Sequence, residues 1–187
     1  MFCLYEEDGW RVVADHKGPG VVTRIWTTHA TQWTDIRVEV DGEILFTGNA
    51  ARFFQQEQLP FIRPLSEIRN SVSGRVTAEQ EVAGQKEWAV SYVPIPFDKR
   101  FRYLQRNQVY ANINIKQYPP DTKVEPFRDV DWNRLKPEVE QTAAVWESMD
   151  LYGTGLDRYQ RIAKVVRLAP SRPDAERIVD LASIDGP

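Results

Sequence analysis

Cysteine and histidine are almost missing from this sequence: Cys3 stands alone, and His16 and His29 are the only imidazoles. A single thiol excludes an internal disulfide framework and leaves the redox compartment open. One thiol and two imidazoles cannot assemble a zinc site of ordinary spacing, so neither a metal nor another cofactor is expected. No apolar run approaches the ~18–20 residues that a membrane-spanning helix needs, so no membrane partner is expected. Positive charge is not in excess either. Lys and Arg number 24 against 27 Asp and Glu, a net charge of −3. The basic residues are interspersed with acidic ones, which leaves no stripe for nucleic acid. The first residues turn acidic at Glu6-Glu7-Asp8 without the basic start and long apolar stretch of a secretory signal, which makes the cytoplasm the default expectation.

Aromatic side chains, by contrast, are plentiful: six Trp, seven Tyr and eight Phe. Their large flat rings with polar edges either fill a sandwich core or stack on sugars.

The pattern along the chain is that of short strands. Residues 10–15 read as a strand that stops at Gly18-Pro19-Gly20, and residues 21–28 are rich in β-branched side chains. Ile36-Arg37-Val38-Glu39-Val40 alternates apolar and charged residues, giving one buried and one wet face. Asp41-Gly42 follows at once and Glu43-Ile44-Leu45-Phe46 resumes beyond it, the pattern of a primed two-residue hairpin turn. Residues 55–80, with prolines at 60 and 64, read as a long connection holding at most a short strand or two. Residues 88–93 form a further strand. The alternate prolines of Pro94-Ile95-Pro96-Phe97 then remove two ladder donors and place that stretch at an edge or beyond the sheet. Residues 101–104 and 109–118 complete the set, with Val109, Ala111, Ile113 and Ile115 on one face. The expected fold is all-β, an antiparallel β-sandwich of jelly-roll type with one or two short C-terminal helices.

Beyond Pro119-Pro120 the periodicity changes. Val139, Ala143 and Trp146 share one side of an amphipathic helix over 138–149, with Pro137 in its first turn. Asp129, Asp131, Asn133 and Glu140 stand at positions 1, 3, 5 and 12 of a calcium loop, but Arg134 replaces the needed glycine and Pro137 interrupts it. They read as a polar lead-in to the helix. Residues 150–160 form a glycine-containing loop, and 161–168 and 176–182 look like two more strands. Arg177-Ile178-Val179-Asp180 with the later Gly186-Pro187 echoes Arg11-Val12-Val13-Ala14-Asp15 with Gly18-Pro19. The expected organisation is a jelly-roll domain over 1–133, a helix and linker over 134–160, and the start of a truncated second jelly-roll repeat over 161–187.

Gly18-Pro19-Gly20-Val21-Val22-Thr23-Arg24-Ile25-Trp26 resembles the opening signature of a bacterial family, domain of unknown function 2961, now grouped as glycoside hydrolase family 172. The resemblance continues through residues 36–43, Arg52-Phe53-Phe54, Tyr92-Val93-Pro94-Ile95-Pro96-Phe97 and Tyr110-Ala111-Asn112-Ile113-Asn114. It implies a pair of jelly rolls in one chain, assembly into trimers or hexamers, and action on furanosides, including difructose anhydrides and D-arabinofuranosyl linkages. It also implies a retaining mechanism with two carboxylates about 5–5.5 Å apart. Those glutamates belong to the second jelly roll, so no catalytic residue is carried over. The chain departs from the family at three places. It lacks the aspartate- and arginine-containing segment upstream of the first strand, and Arg52 and Gln55 replace a usual aspartate and glycine beside Phe53-Phe54. Gly153-Thr154-Gly155 resembles a segment ahead of a functional acid in the second domain, but it comes too early, and Asp157 reads as part of an interdomain loop.

The candidate substrate-binding residues are Arg24, Trp26 and Trp33. Arg24 and Trp26 share strand parity and present a cation and a ring on one face, against the plainer alternative of a rim arginine beside a buried tryptophan. Trp33 lies in the polar stretch Ala30-Thr31-Gln32-Trp33-Thr34, where exposure favours stacking. The expected function is the N-terminal half of a furanoside-acting glycoside hydrolase-like protein, inactive on its own, with a carbohydrate ligand and a homo-oligomeric assembly. A non-catalytic carbohydrate-binding or assembly module is the alternative.

Overall fold

A computed structural model describes residues 3–28, 34–70, 74–75 and 87–149. Trp33, the glycine-containing loop at 150–160 and the strands expected at 161–168 and 176–182 lie outside the described residues.

Among the described residues, eleven strands and two helices follow in order: β1 (Tyr5–Glu7), β2 (Trp10–Lys17), β3 (Gly20–Thr28), β4 (Asp35–Val40), β5 (Glu43–Asn49), α1 (Ala50–Phe54), β6 (Ser66–Asn70), β7 (Gly74–Arg75), β8 (Glu87–Ser91), β9 (Ile95–Phe97), β10 (Arg100–Gln105), β11 (Ala111–Gln117) and α2 (Lys136–Met149). The first sheet runs β1-β2-β10-β4-β5 and the second β11-β3-β8-β6-β7, with β9 also on β3. All pairs are antiparallel. The chain changes sheet at β2–β3, β3–β4, β5–β6, β9–β10 and β10–β11, so it winds around the sandwich as a jelly roll does.

The hairpin expected at Asp41-Gly42 is present: Val40 pairs with Glu43, and the two turn residues take φ of 54° and 91°. Positive φ at both central positions is what a primed turn demands. A second turn of the same kind joins β1 to β2 through Asp8-Gly9, with φ of 49° and 73° and Glu7 paired to Trp10. β9 carries Pro96, with Pro94 just ahead of it, where the sequence pattern puts them. It pairs with β3 on one side only, at the end of the sheet. Gly20 lets β9 approach, because a Cβ there would lie 2.7 Å from Phe97 Cζ and 2.9 Å from the Lys116 carbonyl oxygen.

The core lies between the sheets. Val22 and Ile25 of β3, Ile36, Val38 and Val40 of β4, and Phe101 and Tyr103 of β10 all have less than 3% of their surface exposed. Phe53 and Phe54 of α1 join them, capped by Asn49, whose Oδ1 accepts from the Ala51 N–H at 2.9 Å. Phe53 contacts Phe46, Phe54 and Phe61 at centroid distances of 5.0–5.2 Å in tilted and edge geometries. Such pairs add about 0.5–1.5 kcal/mol each beyond area burial. The core is thus built from phenylalanine, aliphatic residues and Tyr103, whereas most of the described tryptophans sit at its margins.

Helix α2 turns Val139, Ala143 and Trp146 onto this same core. The Asp131 Oδ1 accepts from the Arg134 N–H at 3.1 Å, so that aspartate organises the turn ahead of the helix. The compact unit spans Met1–Ser148.

One carboxylate ties the hairpin to the β9–β10 corner. Asp41 accepts from the backbone N–H groups of Asp98, Lys99 and Arg100 at 2.9, 2.6 and 2.8 Å. Hydrogen bonds to an ionised acceptor are the stronger kind. Asp41→Ala removes all three and also puts alanine at positive φ. The expected loss is about 2–3 kcal/mol of unfolding free energy by urea titration; a loss within experimental error would show that water replaces the carboxylate at no penalty.

Candidate functional site

Each sheet has an outer face, and the two are furnished differently. On the first sheet the outer positions carry ion pairs. Asp15 of β2 receives Arg100 Nε and Nη2 of β10, each at 2.7 Å, and the Tyr5 hydroxyl at 2.5 Å. Arg102 donates to Glu39 at 2.9 Å and also to Glu7. Trp10, 5% exposed, has the guanidinium carbons of Arg37 and Arg106 at 4.6 and 4.2 Å from its ring centroid. Arg100, opposed in part by burial, holds the Asp15 carboxyl down to about 2, and the hydrogen bond to Asp15 raises the Tyr5 phenol above its ordinary value.

On the second sheet the register builds a different surface. Arg24, Trp26 and Thr28 alternate along β3 with the core residues Ile25 and Thr27 and therefore face outward. Arg24 pairs with Asn114 and Trp26 with Asn112, both exposed on the edge strand β11. On the other side Trp26 pairs with Val90 and Thr28 with Trp88. Cross-strand partners on one face bring their Cβ atoms to about 4.5–5.5 Å, and diagonal neighbours such as Trp26 and Trp88 remain within reach of aromatic rings. Farther across, on β6, Glu67 and Arg69 form a buried pair with Nε to Oε1 at 2.7 Å.

Of the residues singled out in the sequence, the structure brings Arg24 and Trp26 onto this one face, both half-buried. Trp33 lies outside the described residues. Trp88, Asn112 and Asn114 were missed as site residues. The asparagines alternate with Ala111, Ile113 and Ile115, so their outward parity was readable. Their position opposite Arg24 and Trp26 was not, because it depends on a pairing between distant strands. Arg52 is exposed on α1, and Gln55 caps that helix through its N–H to the Ala51 carbonyl. The departures from the family pattern at those two places therefore fall on a core-packing helix, away from β3.

A separate concavity of about 240 Å³ lies beside α2, lined by Pro60, Leu65, Tyr92, Trp132 and Trp146 among others. It is apolar, and the carboxylate bordering it, Glu138, is exposed on the helix surface.

Two antiparallel sheets wound in this order define a β-sandwich domain. Residues 1–134 match the family described as the GH172 first beta-sandwich domain, and the chain belongs to that family. No curated protein matches it. Several segments that carry the resemblance are neighbours in the fold: residues 18–26 supply β3, which lies between β11 and the β8–β9 segment.

The first-sheet network makes a pH-dependent contribution. Asp15 has its carboxyl depressed in the folded state, so its stabilisation is complete above about pH 4 and is lost as pH falls through 2. Asp15→Asn is expected to lower stability by about 1–2 kcal/mol at pH 7, with the gap from the parent protein narrowing toward pH 2. Urea midpoints at the two pH values measure this, and an equal gap at both would mean that the charge on Asp15 contributes nothing.

Proposed function

We propose that this glycoside hydrolase-like β-sandwich domain of the GH172 type serves as the substrate-facing, non-catalytic half of a furanoside-acting enzyme, presenting the outer face of its second sheet to sugar. The observation that carries the first part is the juxtaposition of Trp26 with Arg24, Asn112, Asn114 and Trp88 on one face. Half-buried rings flanked by amide and guanidinium donors are the chemistry a sugar's apolar face and hydroxyls call for.

Support for the second part comes from what four buried or half-buried carboxylates already do. Asp15, Glu39 and Glu67 each hold arginine, and Asp41 holds three backbone amides. A retaining glycosidase needs one carboxylate free to attack and another free to protonate, about 5–5.5 Å away. Carboxylates committed to arginine or to the backbone are poorly placed for either role.

Among the described residues β11 is the end strand of the second sheet, with Asn112, Asn114, Lys116 and Gln117 exposed, and this favours a second reading. In it the domain is an assembly module whose contacts are with further copies of the chain.

Incubation with difructose anhydride and aryl furanosides is expected to give no turnover above background, and a clear rate would overturn the non-catalytic reading. In a titration with methyl α-D-arabinofuranoside, Trp26→Ala is expected to weaken binding about tenfold, equivalent to about 1.4 kcal/mol. Absence of sugar binding together with a self-associated mass in sedimentation would leave the assembly reading.

A further inference from the structure

Arginines that leave bulk water in this protein find a carboxylate. Among the described residues, six arginines other than Arg24 are partly or fully buried: Arg11, Arg37, Arg63, Arg69, Arg100 and Arg102. Each has a carboxylate oxygen within 4.0 Å, on Glu6, Glu39, Glu57, Glu67, Asp15 and Glu39 respectively. Arg24 is the exception. Its Nε is buried without an acceptor, as are those of Arg37 and Arg102, and it differs from them in having no carboxylate within 4.0 Å among the described residues. Its cross-strand partner is Asn114, and Trp26 beside it pairs with Asn112 and Val90, so the register supplies no acid. Thr28, the next outward residue of β3, likewise has a buried hydroxyl with no partner.

A half-buried guanidinium with no counter-charge has only the water on its exposed side to offset the desolvation of its buried Nε, which is less favourable than a carboxylate in contact. A ligand that brings the missing charge supplies that contact. Arginine's planar fork matches carboxylate and phosphate oxygens two at a time. The neighbouring ring and amides then fit the uncharged part of such a ligand.

We infer that the outer face of the second sheet binds a furanoside bearing an anionic group. Arg24 meets the carboxylate or phosphate, Trp26 stacks on the sugar ring, and Asn112 and Asn114 bond its hydroxyls. The inference rests on the sugar-facing reading above and adds the charge of the substrate to it.

Calorimetric titration of the whole chain tests it with four probes: methyl α-D-arabinofuranoside, its 5-phosphate, its 5-carboxylate, and inorganic phosphate. One or both charged sugars are expected to bind at least about tenfold more tightly than the neutral sugar, by an amount that shrinks as salt is raised. Which of the two binds more tightly identifies the anion. Arg24→Gln should abolish the preference for the charged sugars over the neutral one, and Arg24→Lys should retain part of it. Because Arg24 lacks an acceptor, Arg24→Gln should also unfold at the same or a higher urea concentration than the parent, which excludes misfolding as the cause.

Equal binding of neutral and charged sugars, with Trp26→Ala still weakening both, would overturn the inference and leave the sugar-facing reading standing. Retention of the preference in Arg24→Gln would overturn it too. Inorganic phosphate binding as tightly as the sugar phosphate, with no effect of Trp26→Ala, would mean a simple anion site. Failure of every sugar to bind would sink both readings together.

Discussion

Side chains along a strand point alternately to two faces, and stacking two sheets buries only two of the four faces so created. The organisation of this domain follows from that limit. The inner faces are filled by β-branched and aromatic side chains, with Phe53 and Phe54 of α1 closing the core beyond the strands. The outer faces must be made compatible with water by other means. On the first sheet, carboxylates and arginines meet: Asp15 with Arg100 and Glu39 with Arg102 across adjacent strands, and Glu39 with Arg37 along β4. On the second sheet, Glu67 and Arg69 pair along one strand and out of water, and Arg24 has no carboxylate within 4.0 Å among the described residues. The feature that sets the candidate site apart is therefore a departure from the pairing that the other partly or fully buried arginines share among the described residues.

The parts of the fold that were legible in the sequence are those where alternation is long enough to be seen and one face is wet. Residues 36–40 show it, and Asp41-Gly42 adds the turn chemistry, so β4 and β5 were readable together. The same dipeptide at Asp8-Gly9 went unread because β1 has only three residues, too few for a period of two to register. α1, with five residues, is likewise too short to display a helical period, and it stands mid-chain rather than among the expected C-terminal helices. β6 was hidden for a different reason. In Ser66-Glu67-Ile68-Arg69 both faces are buried, and the polar side chains satisfy one another instead of meeting water. Alternation is present there, but it no longer separates buried from exposed.

The site divides along similar lines. Parity within one strand put Arg24 beside Trp26, which is local information. That Asn112 and Asn114 stand across from them depends on β11 pairing with β3, with a register shift at Asn114/Ile115 that no local pattern announces. The want of a counter-ion at Arg24 is less local still. With 27 acidic residues in the chain, whether one of them reaches a given arginine is known only once all the strands are placed.

The topology also sets an order in time. β1–β2 and β4–β5 are two hairpins made of neighbouring segments, and the strand that joins them into one sheet is β10. β3 in turn receives β8, β9 and β11 only from much later in the chain. Isolated two-stranded hairpins are marginal in water. A chain emerging from its N-terminus thus carries the parts of its first sheet as loose hairpins until residue 105 is available, and β3 keeps an open edge until residue 117. Contacts so far apart in sequence place the domain among slow folders, on the millisecond-to-second scale. Through that interval the strand bearing Arg24 and Trp26 is a bare edge, open to other nascent chains before it can be open to a ligand.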